Sequence, residues 1–384
     1  MPKQAIVQPS IEAVEIVDTP IPIPQDKEVV IRVVVTGTNP KDWKYPLWKN
    51  WPHNSGDDMA GIVHSVGKDV YEFKTGDRVA AFHETGKENG TFAEYSVAPD
   101  WMTFHIAPTV SFEEAATMPV AAMTAAIALF ADMKLPTPYE IGESGHGADK
   151  VPLLIYGITS AVGAFAAKLA RLSGIRPIVG IAGRSGDFAR TLADHVVDYR
   201  EGEDAVVTAA LEVLAKEGLG PKFPYIFDAI SEGGSLEATL RLIDADHGVV
   251  STVLPPKLFA KDGERYEYPP GVTAFNSAVP QTFSTRSDFG YLWSRYFGRL
   301  LASGSLKAHP HEVIPGGLDG LLTGLQKLRD GKASAVKYVY RIEETKDALS
   351  SDQKVAEQES RRGGNTESSR TESSHPLSVF PFPS

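Results

Sequence analysis

The chain reads as an α/β protein in which a β-rich first part is followed by a doubly wound parallel sheet. Three stretches of its 384 residues carry that expectation. Up to about residue 120, short β-branched or alternating runs are divided by glycine-rich turns, the pattern of a barrel or sandwich. From 151 to 254, short apolar runs alternate with helical segments, as in a parallel sheet covered on both faces. A last β-branched run, Ser334 to Ile342, is expected to return to the first part.

In order, Glu28 to Val35 is the strongest strand of the first part, following a proline-rich lead. Gly61 to Val66 and Asp77 to Ala81 are further strands between Gly-Lys-Asp and Thr-Gly-Asp turns, and Thr91 to Val97 alternates well. The character changes at Ser111. Ser111 and Glu114 form a capping-box pattern, opening two alanine-rich helical segments divided near Pro119. Residues 136–150 read as a surface loop.

Val151 to Tyr156 then reads as a buried strand, broken by Gly157, and Thr159, Ser160 and Ala161 open a helix that ends before Gly174. Pro177 to Ala182 is the next strand. Such a strand–helix–strand unit holds a dinucleotide pyrophosphate at the helix N-terminus. The turn, Gly157-Ile-Thr-Ser-Ala-Val-Gly163, departs from G-x-G-x-x-G, but the hydroxyls of Thr159 and Ser160 can supplement backbone donors. A site for NAD needs an acidic residue after the second strand, and this chain has Gly183, Arg184 and Ser185. A guanidinium and a hydroxyl suit a ribose 2′-phosphate instead. At roughly 1.5–3 kcal/mol per charge-assisted hydrogen bond, two favour NADPH over NADH by about two to four orders of magnitude.

Further on, Ala205 to Gly218 and Ser235 to Leu242 are helices, and Pro224 to Ala229 and Gly248 to Leu254 are strands. An aromatic-rich helix is expected over 287–304 and another from Gly316 to Gly331. Residues 346–384 have a disordered composition.

A net charge of −11 and a pI near 5.4 argue against nucleic acid or an anionic membrane as partner. The absence of cysteine excludes disulfides, a thiolate nucleophile and cysteine-ligated zinc, and fits a cytoplasmic location. No unbroken apolar run approaches 18 residues.

Four local stretches then carry a resemblance: Asn39-Pro-Lys-Asp-Trp43, Asn89-Gly-Thr-Phe-Ala-Glu-Tyr95, Phe112-Glu-Glu-Ala-Ala-Thr-Met-Pro119 and Gly331-Lys-Ala-Ser-Ala-Val-Lys-Tyr338. With the order of elements, they resemble the zinc-free medium-chain dehydrogenases/reductases. Gly56-Asp-Asp-Met-Ala-Gly61 makes the likeness closest to the fungal trans-acting enoyl reductases of polyketide synthesis. The resemblance implies a GroES-like β-barrel-type catalytic domain over 1–122, a Rossmann cofactor domain over 123–275, a return to the first domain over 276–345, and a tail. It further implies an NADPH-dependent reductase of an enoyl thioester carried by a polyketide synthase carrier domain, acting as monomer or homodimer. The same hydride transfer to a free quinone or alkenal, or NADPH binding without turnover, are the alternatives. An acidic chain meeting an acidic carrier would need a local basic patch.

By position, the resemblance puts Thr159, Ser160, Ala161 and Val162 on the cofactor phosphates and Arg184 and Ser185 on the 2′-phosphate. Tyr199 flanks that phosphate or the adenine. Thr252 and Val253, with Ala333 and Ser334, contact the nicotinamide half, and Pro40, Lys41, Asp42 and Trp43 line the cleft opposite. Thr124 faces nicotinamide or substrate, unless its hydroxyl is spent on its own helix, and Gly271, Val272, Thr273, Ala274 and Phe275 border the substrate channel. Lys41, on what reads as a polar loop, is the candidate electrostatic helper, and Asp42 holds that loop. Alcohol dehydrogenases of this superfamily bind zinc through a Cys near the position of Asn39 and a His in a Gly-His-Glu stretch. Here Gly56 is followed by Asp57 and Asp58, so no metal is expected. Ile158 stands where the branch usually has Gly, and Leu192-Ala193-Asp194 lacks a Gly found there.

Overall fold

A computed structural model describes residues 1–140, 150–277 and 279–348. Most of the expected surface loop at 136–150 and the tail beyond 348 lie outside the described residues. The chain opens with an antiparallel pair, β1 (Lys3–Val7) and β2 (Val14–Asp18), absent from the expectations above. Then come β3 (Glu28–Gly37), α1 (Lys41–Lys49), β4 (Asp58–Val66), β5 (Arg78–Phe82), β6 (Tyr95–Pro99) and β7 (Thr103–His105). Only the second half of the strand expected at 91–97 joins this sheet. Its first half turns to β1, where Ala5 N–H donates to the Phe92 carbonyl at 2.8 Å and Glu94 N–H to Lys3 at 2.9 Å.

The capping box forms. Ser111 Oγ accepts from Glu114 N–H at 3.1 Å, and the Glu114 carboxylate accepts from Ser111 N–H at 3.0 Å. It starts α2 (Phe112–Ala115); Pro119 then starts α3 (Pro119–Ala126), which runs on as a π-type turn to Asp132. By mean hydropathy, residues 112–132 are long and apolar enough to cross a membrane, but 89% of the window is buried inside the fold. They form the core helix on which α4 (Ala161–Leu172) packs.

The parallel sheet is built from β8 (Leu153–Tyr156), α4 (Ala161–Leu172), β9 (Ile178–Ala182), α5 (Gly186–Leu192), β10 (His195–Asp198), α6 (Glu203–Lys216), β11 (Tyr225–Asp228), α7 (Ser235–Leu242), β12 (Val249–Thr252), α8 (Pro256–Phe259) and β13 (Thr273–Asn276). Its order is β10-β9-β8-β11-β12-β13, all neighbours parallel. The chain direction of assembly reverses between β8 and β11, so the crevice at their carboxyl ends is the place for a ligand.

Last come α9 (Ser287–Ala302), β14 (His311–Val313), α10 (Leu321–Arg329) and β15 (Lys337–Arg341). One edge of β3 pairs with β4. Its other edge is shared, with β6 on Glu28–Arg32 and the returning β15 on Val35–Gly37. A single core runs from β4 and β5 through α3 to α4 and α9, where Phe130 stacks on Trp293 with ring centroids 4.7 Å apart.

Candidate active site

The turn after β8 is set by Gly157, at φ +72°, where a Cβ would strike Ile230. Ile158 therefore needs no left-handed backbone, and its side chain is buried against Gly180. Ser160 caps α4, its Oγ accepting from Gly163 N–H at 3.0 Å. The amides of Ala161 and Val162 have no acceptor within the helix, so the N-terminus of α4 presents them, with the helix dipole, to an anion.

Along the same carboxyl edge, Arg184 and Ser185 follow β9 and Tyr199 follows β10. The Tyr199 ring lies where a Cβ on Gly183 would be, 2.6 Å from that point, so only glycine lets the ring fold onto this turn. Arg184 borders a groove of about 730 Å3 shared with Arg190 and Arg200. The carboxylates beside it are already paired: Asp187 with Arg190 at 2.5 Å and Asp198 with Arg200. Arg200 holds the Asp198 carboxyl down to about 2. Thr252 and Val253 end β12, where Val253 N–H donates to Ser231 Oγ at 3.0 Å. Asp228, at the end of β11, organises that neighbouring loop by accepting from Ile230 N–H, Ser231 N–H and Ser235 Oγ. Burial pushes its carboxyl up to about 6 against those hydrogen bonds.

Across from this edge, Pro40 is the N-cap residue of α1 and Lys41 its first helical residue. Lys41 is thus no solvated loop lysine. Its Nζ lies 3.0 Å from Asp42 and 2.6 Å from Asp57 and donates to the Ser55 carbonyl. Burial alone would lower its pKa, but the two carboxylates outweigh it and hold the ammonium above its ordinary value. Burial pushes Asp42 up to about 7, whereas Asp57, likewise buried, is kept below its ordinary value by Lys41 and His83. Of the two carboxylates sharing one lysine, Asp42 is the one that takes a proton. Asp42 also accepts from Asn39 N–H at 2.7 Å at the entry to α1. Trp43 packs on the core of the first sheet.

A second buried group escaped the sequence reading as a cluster. Asp58, Asn39 and Lys337 are all at least nine-tenths buried. Lys337 Nζ donates to Asp58 and, at 3.1 Å, to Asn39 Oδ1. Asp58 also accepts from Asn39 Nδ2 at 2.8 Å and Val120 N–H at 2.7 Å. It ties β15 and β4 to the start of α3. Among the described residues no group of three or more His, Cys, Asp or Glu could hold a metal.

The remaining named residues are placed as follows. Ser334 Oγ lies 2.7 Å from Ser185 Oγ, and Arg184 Nη2 donates to the Gly331 carbonyl at 2.9 Å. The Ala333–Ser334 loop thus meets the Arg184 turn. Gly271 and Val272 lie at the opposite, amino edge of the parallel sheet, Gly271 tight against the Ala245 and Asp246 carbonyls. Thr273, Ala274 and Phe275 belong to its edge strand β13. A parallel strand brings only its last residue to the crevice, so this stretch does not line it together. Thr124, buried, donates its hydroxyl to the Val120 carbonyl at 2.7 Å.

A glycine turn and capped helix at the carboxyl edge of a parallel sheet, together with a β-rich domain that β15 completes, is the architecture of the medium-chain dehydrogenases/reductases. Residues 25–108 match the alcohol dehydrogenase GroES-like domain family. The chain is 38% identical over 322 residues to a trans-enoyl reductase of Gibberella fujikuroi, covering 82% of this chain and 91% of that one. It is 31% identical over 353 residues to one of Alternaria alternata, covering 89% and 99%. Among solved structures, the CurK enoyl reductase shares the fold at a TM-score of 0.71 and 20% identity, covering 88% of this chain and 99% of that one. A quinone oxidoreductase from Coxiella burnetii does so at 0.66 and 20%, with the same coverage. The protein belongs to the trans-enoyl reductase family.

Proposed function

We propose that this protein uses NADPH to reduce the α,β-double bond of a polyketide enoyl thioester presented by a synthase carrier domain in the cytoplasm. The observation that carries the reading is the end of β9: Arg184 beside Ser185, the guanidinium bonded to a backbone carbonyl and to no carboxylate, and the groove's Asp187 and Asp198 already held by other arginines among the described residues. The fit to a dinucleotide rests on the unpartnered Ala161 and Val162 amides and on the Gly157 and Gly183 turns, which a Cβ would obstruct. Thr159, Ser160, Ala161 and Val162 would hold the pyrophosphate, Arg184, Ser185 and Tyr199 the 2′-phosphate end, and Thr252 and Val253 the crevice beyond the switch point. The reading places the domain borders at 122/123 and 275/276, the second within β13.

When bound, the nicotinamide supplies the hydride. The chain's own contribution is electrostatic and positional. Lys41 is the candidate cation for the negative charge that develops on the thioester oxygen, its position fixed by Asp57 and Ser55. Thr124 has committed its hydroxyl hydrogen to Val120 and so can accept but not donate there. Asp42 holds an exchangeable proton close to neutral pH. The relatives named trans-enoyl reductases support the thioester over a free quinone or alkenal.

Fluorescence titration with NADPH and NADH tests the reading. Arg184→Ala should weaken NADPH binding by roughly one to two orders of magnitude, the worth of one charge-assisted hydrogen bond, and leave NADH unchanged. Equal affinity for the two cofactors in the unmodified protein would sink it. Activity on a free quinone but on no enoyl thioester would favour the alternative substrate.

A further inference from the structure

Helix α1 leads from the Lys41 cluster out to solvent. At about 1.5 Å per residue, Lys49 lies about 12 Å along the axis from Lys41. Leu47 and Trp48 in the helix's last turn, and Trp51 just beyond its end, are 49%, 51% and 45% exposed. Trp48 touches Phe259 of α8, with ring centroids 5.6 Å apart, and next to Phe259 is Leu258, 76% exposed. Lys44 bridges the two elements, its Nζ near the Trp43 and Phe259 rings and 3.0 Å from the Glu232 carboxylate. The mouth of the cleft beside α1 is therefore framed by a contiguous apolar face drawn from both sheets' connections. Exposed apolar groups gathered in this way mark a contact surface, and tryptophans are the usual energetic anchors of one.

The charge on this face runs against that of the molecule. Lys49 and Lys257 are exposed, and among the described residues neither has a carboxylate within ion-pair distance. The Glu232 carboxylate nearby is taken by Lys44, and Asp262 faces Arg265 at 3.8 Å. On a chain of net charge −11, this is a local basic patch around aromatic anchors.

We propose that Leu47, Trp48, Lys49, Trp51, Lys257 and Leu258 form the docking face for the acidic carrier domain that delivers the thioester. The proposal rests on the enoyl-thioester reading above. The patch supplies the positive charge that an acidic partner requires, and it borders the cleft one short helix away from Lys41, within reach of a substrate on a flexible arm.

The test compares one crotonyl chain in two forms, loaded on an acidic holo acyl carrier protein and on N-acetylcysteamine. The unmodified protein should use the carrier-bound form with a kcat/KM about ten-fold higher at low salt, an advantage that shrinks as salt rises. Lys49→Glu/Lys257→Glu should lose about ten-fold on the carrier-bound form and stay within about two-fold on the free thioester. A charge-matched Lys68→Glu/Lys216→Glu protein should change neither. Equal losses on both substrates, no loss, or no preference for the carrier-bound form would overturn the docking face. So would sedimentation showing that the face joins two copies, which the substitutions separate. If the unmodified protein oxidises NADPH with neither thioester, it is the underlying reading that fails.

Discussion

Gly180, in the middle of β9, is where Ile158 and Ala193 close in on the strand. A Cβ there would lie 2.7 Å from the Ile158 side chain and 3.2 Å from Ala193 Cβ. The Ile158 side chain and Ala193 both pack on this one glycine, while the left-handed turn stays at Gly157. Gly180→Ala should cost about 1–3 kcal/mol by overpacking, and Ile158→Ala in the same chain should restore part of it. Urea denaturation reads both, and an undisturbed midpoint in the single variant would refute the argument. Asp42 makes a second prediction at this scale. Its folded-state pKa, about 7, lies above the ordinary 3.8. Between those values the folded protein keeps a proton that the unfolded chain has released. This group's contribution is therefore most favourable near pH 4 and declines as pH rises to about 7. Asp42→Asn should flatten that slope. Urea midpoints at several pH values check it, and parallel curves for the two proteins would contradict it.

Among elements, β8, α4, β9, α7 and β12 were legible because each is a buried run of the right length bounded by glycine or by a capping residue. The Gly157 turn and the Ser160 cap of α4 were legible for the same reason, since their geometry is local. The Asn39–Asp58–Lys337 group was not: Asp58 and Lys337 are separated by 279 positions, and nothing in local periodicity joins them. The contact of Ser334 with Ser185 was not legible either, because it is set by where β15 docks, a tertiary fact. β13 misled in a different way, since a stretch matched by resemblance says nothing of which edge of a sheet its first residues reach. Lys337→Met should cost about 3–5 kcal/mol by stranding the buried Asp58 charge, and adding Asp58→Asn should recover much of that. A chemical denaturation series on the two variants decides it; equal loss in both would mean that packing of the lysine stem, not charge, matters.

At the scale of the molecule, the two sheets are joined across the crevice by Lys44 with Glu232, Arg184 with Gly331, and Ser185 with Ser334. A ligand seated there binds only the folded arrangement. NADPH at a hundred times its dissociation constant should therefore add about 2.7 kcal/mol of stability. Thermal melts with and without the cofactor measure this, and an unmoved transition at saturation would show that the crevice does not hold it.

The shared edge of β3 also sets a timetable for synthesis. Val35–Gly37 wait for Val339–Arg341, about three hundred residues later. At 5–20 residues per second, the ribosome leaves that edge open for roughly 15–60 s. The parallel sheet, complete at Asn276, can form before it. A nascent chain released before β15 would carry a finished cofactor-type sheet attached to an unclosed one, with strand edges free to pair with another chain. Premature stops near residue 330 should therefore yield aggregates, not shortened soluble enzyme.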